Sequence, residues 1–560
     1  MSEHSKRVNW RTGLTTSLVH FLGIFFLLFY ALGQRSLSGS EDRWGEIARN
    51  MLQQRDWFHP VINGEVYFDK PLLSYWLIVI AAHITSGLDE FAVRLPGALS
   101  GLLAMFCTHR IALELFNRRV AWLSVCLIAT SYGFLFWTHT ASAELSNLAL
   151  IMAAVAWFVH RRERTDFASY LVFYLLCAIG CQLKGLTAIV VPTLAILPYV
   201  MRHQRWKEHI NVAHILALGL SIGVFFLPYL GAESHPLPIG IAAQNNHLSG
   251  IELLIRENFV RFFEPFDHRD PFYSYLYEVP RILFPWMFLF LAALTHYGKR
   301  YRQLEESRVW LLNVIIAIFL FFTFSGSRRW YYILPIMPFC MILLSAYLFE
   351  DGELKWRRLA TRATSVVMLV GAGLLFLVPV AVNFYSSGTP VPRDFLAGSA
   401  IAATSVIVLL LFRRFNFEAL IPAGRDLPVL MPVLLIVAAL EMVAVFGFML
   451  PGADSYRQLR PFTLSLLNQV RHDERVTFFK SANTAMAFYL NANSPIVVVN
   501  SISDLPPSST GWVVISEQAD LGSLFEAFPN LRNEPPMLKE SNPFKKALLD
   551  TSGLVAYRLH

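Results

Sequence analysis

Between Gly39 and Pro71 the chain reads GSEDRWGEIARNMLQQRDWFHPVINGEVYFDKP, a charged and aromatic stretch enclosed by apolar sequence. Glu41 and Asp42 are its candidates for general-base work, because activating a hydroxyl needs a carboxylate held beside the reacting carbon. A second carboxylate, Glu144, opens a later apolar segment in Thr140-Ala141-Ser142-Ala143-Glu144-Leu145. The cationic counterparts are Lys70, Lys184 and Arg328-Arg329, with Arg261 in a long polar loop. Cations gathered in this way suit a phosphate or pyrophosphate, Lys70 as a compact point charge after Tyr67-Phe68-Asp69. Each residue also has a plainer reading. An acid can ride the wet face of an interfacial helix, Glu144 can complement a helix dipole, and a lysine at a span end can simply snorkel.

What separates the two readings is where the membrane lies. At 560 residues, 55% hydrophobic and 16% charged, the chain has the composition of an α-helical polytopic membrane protein. The formal charge of +7 falls in short clusters between apolar runs, the pattern of basic cytoplasmic loops and not of a nucleic-acid surface. Leu14 to Leu32 reads as an uncleaved signal anchor, with the basic N-terminus (His4, Lys6, Arg7, Arg11) left in the cytoplasm. Arg118-Arg119, Arg161 to Arg164, Arg202 to Lys207, Lys299 to Arg308, Lys355 to Arg362 and Arg413-Arg414 then recur after every second span. If all are cytoplasmic, Glu41, Lys70, Glu144, Lys184, Arg261 and Arg328 share the outer face. Residues 72–88 cannot cross without breaking this parity, so they should lie at the outer surface, and about thirteen crossings remain.

Glu41, Arg43 and Glu46 come at helical spacing opposite Trp44, Ile47, Ala48 and Met51, so a short amphipathic helix is expected there with its acids on the wet face. The expected transmembrane part covers residues 1–450, with outer loops at 39–93 and 231–279. The second of these carries Asp267-His268, the pair that would take a divalent metal, although its spacing matches no strong zinc pattern. After Pro451 the charges balance and short β-prone runs appear at 476–479, 496–499, 512–515 and 554–557, with helical segments near 462–471 and 482–490. Residues 451–560 are therefore expected to form a small periplasmic α/β domain. The five cysteines lie in apolar segments and none follows Cys340, which excludes a disulfide framework beyond that point. No phosphate-binding glycine loop is present, so nucleotide binding lacks support.

An ordered series of motifs resembles the protein O-mannosyltransferase-like superfamily of GT-C glycosyltransferases, and within it the bacterial transferases that add 4-amino-4-deoxy-L-arabinose to lipid A. The pieces are Glu41-x-Arg43-Trp44-x-Glu46-Ile47-Ala48-Arg49-x-Met51, Gly64-x-x-Tyr67-x-Asp69-Lys70-Pro71-x-x-x-Tyr75-Trp76 and Phe91-Ala92-x-Arg94-Leu95-Pro96. The Glu144 turn, Leu183-Lys184-Gly185, Asn258-x-x-Arg261-Phe262 with Asp267-His268, Pro285-Trp286 and Arg328-x-x-Tyr331-Tyr332-Ile333-Leu334-Pro335 follow. Together they cover roughly residues 14–350. Two positions depart from the family pattern: its Asp-Glu pair reads Ser40-Glu41 here, and Glu144 stands where an aspartate is common.

The resemblance implies a GT-C fold and an inverting transfer of sugar from a polyprenyl (undecaprenyl) phosphate donor to lipid A or another envelope acceptor, at the periplasmic face of a bacterial inner membrane. No cofactor is required for such a transfer, since the donor is already activated. Glu41, with Glu144 and with Arg43 fixing its geometry, would orient or activate the acceptor. Lys70, Lys184, Arg328 and Arg261 would hold the donor phosphate, and Tyr67, Asp69, Tyr331 and Tyr332 would line the substrate. Either Glu41 takes over the missing aspartate's role, or the acceptor is already anionic, as a lipid A phosphate is, and needs no base. A lipid-linked sugar transporter or an inactive homologue is the rival reading. A transporter would carry inverted repeats and ionisable groups near the midplane, whereas this chain gathers its charge at one face.

Overall fold

A computed structural model describes residues 18–68, 70–236, 270–351, 355–385, 390–414, 430–456, 459–505, 511–540 and 553–559. The first span, α1 (Leu18–Phe29), leads into the amphipathic α2 (Glu41–Gln54), a small hairpin of β1 (Val61–Ile62) and β2 (Glu65–Val66), and α3 (Leu73–Ile84). The helices α4 (Glu90–Leu115), α5 (Arg118–Ala129), α6 (Tyr132–Thr138), α7 (Glu144–Arg161), α8 (Phe167–Lys184), α9 (Thr187–Arg202) and α10 (Val212–Ser234) follow. Polar caps fix where several of them start. Asp89 accepts from Ala92 N (2.8 Å), Asn117 from Val120 N (3.1 Å), Asp166 from Ser169 N (3.0 Å) and Asn211 from His214 N (2.8 Å).

Beyond residue 270 come α11 (Tyr275–Ile282), α12 (Met287–Lys299), α13 (Glu306–Phe324), α14 (Met337–Leu348), α15 (Lys355–Tyr385), α16 (Arg393–Arg414) and α17 (Leu430–Ala444). Every residue of α14 is buried, so this helix, apolar all round, runs through the centre of the bundle. By contrast α15 to α17 present Leu374, Val380, Phe384 and Ile436 outward, as helices facing lipid do.

Among the described residues seven helices are long and apolar enough to cross a membrane, or nine if α5–α6 and α11–α12, bent by 65° and 117°, each count as one span. The protein is thus a multi-pass membrane protein. A count of about thirteen also takes in Leu18–Phe29, Glu144–Arg161, Thr187–Arg202 and Leu334–Leu348, which are shorter or less apolar. The helix α3, only 12 residues long, reaches about 18 Å, well short of a bilayer core. It lies against α2 and α4 with Tyr75, Ile78 and Val79 buried, which fits an element at the surface.

The chain after residue 459 folds as α18 (Leu459–Gln469), β3 (Arg475–Phe479), α19 (Thr484–Leu490), β4 (Val497–Val499), β5 (Trp512–Glu517), α20 (Leu521–Ala527), β6 (Leu538–Lys539) and β7 (Leu554–Leu559). The five strands form one mixed sheet in the order β4-β3-β5-β7-β6, parallel through β4-β3-β5 and antiparallel beyond. One boundary differs from expectation. The last membrane helix does not stop before Pro451; it passes through a π-helical stretch at Val445–Met449 and ends with Leu450–Asp454. Pro451 lies near the start of that final piece within a continuous helix, so it supplies no N–H to the π-helical turn before it.

A candidate active site where the outer loop meets the bundle

Helix α2 is amphipathic, but its acids are not on a wet face: Glu41 is 1% exposed and Glu46 is fully buried. Arg94, reaching out of the first turns of α4, donates Nε to Glu41 Oε1 (2.7 Å) and Nη2 to Oε2 (2.9 Å). Its other N–H groups go to the carbonyls of Leu32 (2.9 Å), Arg35 (2.7 Å) and Ser36 (3.0 Å), so the whole donor fork of Arg94 is used. Glu41 also accepts from Arg35 Nη2 (2.9 Å) and from the Ala141 (2.9 Å) and Ser38 (3.3 Å) amides. Burial alone would raise the Glu41 carboxyl, but Arg94 and Arg35 outweigh it and hold the group below its ordinary range.

This corrects the sequence expectation. The expected wet face is a buried one: both Glu41 oxygens are hydrogen-bonded and the carboxylate has almost no exposure. Arg43 is corrected with it. Its Nη1 donates to Tyr67 Oη (2.6 Å), and the geometry of Glu41 is fixed instead by Arg94 and Arg35. Glu46 is held by Arg49 (2.7 and 2.6 Å) and Asn50 (2.9 Å). Of the acids on α2, Asp42 keeps partial exposure. Burial raises its carboxyl above the usual range, against the pull of the Arg43 amide and guanidinium.

The path from α2 to Lys70 is built by local turns. Asp56 Oδ1 accepts from the Phe58 amide (2.9 Å) and its Oδ2 pairs with His59 Nδ1 (2.7 Å), which steers the chain into the hairpin. Tyr67 N then donates to Pro60 O (2.7 Å), continuing the ladder, and Lys70 follows, half-buried. Asp69, Arg261, Asp267 and His268 lie outside the described residues.

The remaining candidates converge. Glu144, the first residue of α7, is 8% exposed and accepts from the ammonium of Lys184, the last residue of α8. That ammonium also lies over the rings of Tyr331 (5.2 Å) and Tyr332 (4.8 Å). Lys70 is near enough for its charge to act on Glu144 as well. The helix ends place them: α8 stops at Lys184 because Gly185 takes φ +95°, and Ser74 Oγ of α3 donates to Leu183 O (2.8 Å) to hold that end. Arg328 is spent largely on backbone, donating to the carbonyls of Asp270 (2.7 Å), Thr323 (3.2 Å) and Ser325, so it pins the loop before Tyr331.

Several participants had no local signal in the sequence. Trp137 packs edge-on to Tyr331 (4.7 Å) and tilted against Trp330 (5.3 Å), and Arg281 caps the Trp330 ring at 4.4 Å. Asn147, one turn into α7 from Glu144, donates to Thr187 Oγ1 (3.2 Å) and leaves its own buried Oδ1 without a hydrogen-bond partner. Arg94 carried the one legible clue, a cation just inside an apolar span. Among the described residues no group of three or more His, Cys, Asp or Glu gathers as a metal site. An ammonium set over aromatic rings in this way can hold a phosphate and stabilise charge developing on it.

Residues 69–231 match the family of dolichyl-phosphate-mannose-protein mannosyltransferases. The chain is 31% identical over 350 residues to the undecaprenyl phosphate-alpha-4-amino-4-deoxy-L-arabinose arabinosyl transferase of Aeromonas salmonicida, covering 59% of this chain and 60% of that one. It is 29% identical over 429 residues to the Aeromonas hydrophila protein of the same name, covering 72% and 74%. The match thus spans about three fifths of the first relative's length. In structure it superposes on ArnT from Cupriavidus metallidurans bound to undecaprenyl phosphate with a TM-score of 0.69 at 17% identity, covering 97% of this chain and 98% of that one. The fold is that of a GT-C type membrane glycosyltransferase. Within that class, the sequence resembles the undecaprenyl phosphate-aminoarabinose arabinosyl transferases.

Proposed function

We propose that this protein is a glycosyltransferase of the inner membrane that takes a sugar from a polyprenyl phosphate, most simply undecaprenyl phosphate, and passes it to an envelope acceptor. The acceptor that suits the site best is a phosphate of lipid A, and the sugar 4-amino-4-deoxy-L-arabinose. The observation that carries this reading is the Lys184–Glu144 pair set over Tyr331 and Tyr332, with Lys70 acting on the same carboxylate. The relatives' names supply the donor class and the sugar. In this reading the N-terminus is cytoplasmic, and the site and the C-terminal sheet are periplasmic.

The donor phosphate enters between Lys70 and Lys184, displacing part of the Lys184–Glu144 contact. The bond from the anomeric carbon to the phosphate oxygen breaks with its electron pair leaving on the polyprenyl phosphate, where the two ammoniums stabilise it. An acceptor phosphate oxygen attacks the opposite face of that carbon, and the sugar inverts. Such an acceptor is already anionic, so no base is needed. That agrees with Ser40 where the family has a carboxylate, and with the closed environment of Glu41. Glu144 keeps the two lysines apart and oriented. The energy resides in the donor, and no cofactor enters the step.

The test is transfer in membranes expressing wild type, Lys70→Ala and Lys184→Ala, with lipid A and total envelope glycans followed by mass spectrometry. An aminoarabinose-sized increment on lipid A that disappears in both variants supports the assignment. The same increment on a protein, glycan or other lipid keeps the donor chemistry and replaces the acceptor. No increment in any fraction from folded protein overturns the reading.

A further inference from the structure

The hairpin that delivers Lys70 is too small to hold itself. Its strands are two residues each, and an isolated two-stranded ribbon is marginal even when far longer. Its position is therefore set by what grips it. At its tip Asn63 (φ +47°) and Gly64 (φ +84°) form the turn between the strands. The Asn63 side chain does not point to solvent. Its Nδ2 donates to Ile496 O (3.0 Å) and its Oδ1 accepts from Ile496 N (2.7 Å), so one side-chain amide engages both polar groups of one backbone residue, as a neighbouring strand would. Gly64 lies so close to Pro495 that a Cβ there would meet the proline ring at 2.6 Å.

The segment that grips the tip, residues 491–496, joins α19 to β4 of the C-terminal sheet and holds α2 as well. Arg49 Nη1 donates to Ala492 O (2.6 Å) and Gln53 Nε2 to Asn491 Oδ1 (3.0 Å). One short connection thus clamps both the helix that begins at Glu41 and the hairpin that ends toward Lys70. Between the tip and the lysine, Tyr67 is held by Arg43 and Phe68 packs edge-on to His59.

We infer that Asn63 is a positioning residue for Lys70, and that the C-terminal sheet sets the phosphate-binding geometry of the membrane site through the Asn63–Ile496 clamp. The inference rests on the reading of Lys70 as a phosphate ligand given above. Loss of the clamp leaves the lysine in the chain but lets its loop sample other positions, so donor affinity falls while the chemistry of a correctly bound donor is retained.

The experiment uses the full-length protein in detergent or nanodiscs. Asn63→Gly keeps the positive φ of the turn and deletes the clamp; Asn63→Asp keeps the acceptor toward Ile496 N and loses the donor. Binding of undecaprenyl phosphate is titrated for both variants, wild type and Lys70→Ala, beside melting temperature and hydrogen exchange over residues 61–72. The expected result for Asn63→Gly is faster exchange in that peptide, roughly tenfold weaker lipid binding, a donor KM raised to match and kcat within about twofold. Asn63→Asp should fall between Asn63→Gly and wild type. A general loss of folded protein would instead lower the apparent kcat and leave KM alone. Wild-type affinity in Asn63→Gly, or unchanged exchange over 61–72, overturns the positioning role. Faster exchange in Asn63→Gly with no lipid binding by wild type overturns the functional reading and not the clamp.

Discussion

Arg94 and Glu41, 53 residues apart, meet in a two-bond pair of 2.7 and 2.9 Å that is almost wholly buried on both sides. The pair fastens the start of α2 to the first turns of α4, and Leu32, Arg35 and Ser36 are gathered onto the same guanidinium. It is the joint between the membrane bundle and the loop that carries the candidate chemistry.

Removing one side of such a pair leaves the other charge buried without a partner. Arg94→Ala should therefore cost about 3–5 kcal/mol, read as a sharp fall in melting temperature or in the yield of folded protein. Arg94→Ala with near-wild-type melting would show that water or another cation reaches Glu41.

The pair also sets an acid limit. The Glu41 carboxyl is held below its ordinary value of 4.5, so its contribution is complete above that value and is lost as pH falls through the depressed folded value. Melting temperatures of wild type and Glu41→Gln should differ most near neutrality and converge as pH falls through the depressed folded value. A gap that persists undiminished into strong acid would place the stabilisation elsewhere. Because Glu41 is assigned no proton transfer, the pH dependence of transfer in Glu41→Gln should keep the wild-type shape in whatever fraction stays folded.

Lys184→Ala removes the ion-pair partner of Glu144 and the ammonium over the Tyr331 and Tyr332 rings. A loss of about 2 kcal/mol or more in donor binding, roughly thirtyfold in affinity, is expected. Lys184→Arg should recover only part of it, since a planar fork does not replace a point charge packed between two rings. Titration of undecaprenyl phosphate onto purified variants measures both.

Gly133 faces the backbone of Ile282. A Cβ there would meet Ile282 Cα at 2.7 Å and its carbonyl oxygen at 2.9 Å, so neither helix can yield by a side-chain rotation. Gly133→Ala should push α6 from α11 at a cost of about 3 kcal/mol and shift Trp137 against Tyr331. The check is the melting temperature together with tryptophan emission. A variant unchanged in both would mean the two helices part without strain.

Much of the fold was legible because the signals that build it are local. Apolar runs and basic clusters marked the spans. The strands near 476–479, 496–499, 512–515 and 554–557 appear within a few residues of their expected places. Loop parity put Glu144 and Lys184 on one side, though not in contact. The surroundings of Glu41 were misread for a physical reason. Helical spacing shows that α2 has two faces, but not that Arg94 covers one of them, nor that residues 491–496 cover part of the rest. Those partners are supplied by chain 53 and more than 400 residues away, and periodicity carries no record of them.

The wholly buried α14 bears on how the protein is made. The helices packed most extensively on it, α4, α5, α12 and α13, precede it in the chain. When Met337 to Leu348 leaves the ribosome, its neighbours have already been synthesised, and the slot awaiting it is lined by protein instead of lipid. A 12-residue segment, too short to hold a transmembrane position by hydrophobicity alone, can then be captured by a preassembled scaffold. Biogenesis would proceed from the N-terminal helices inward, with the central rod threaded late and the lipid-facing α15 to α17 added around it.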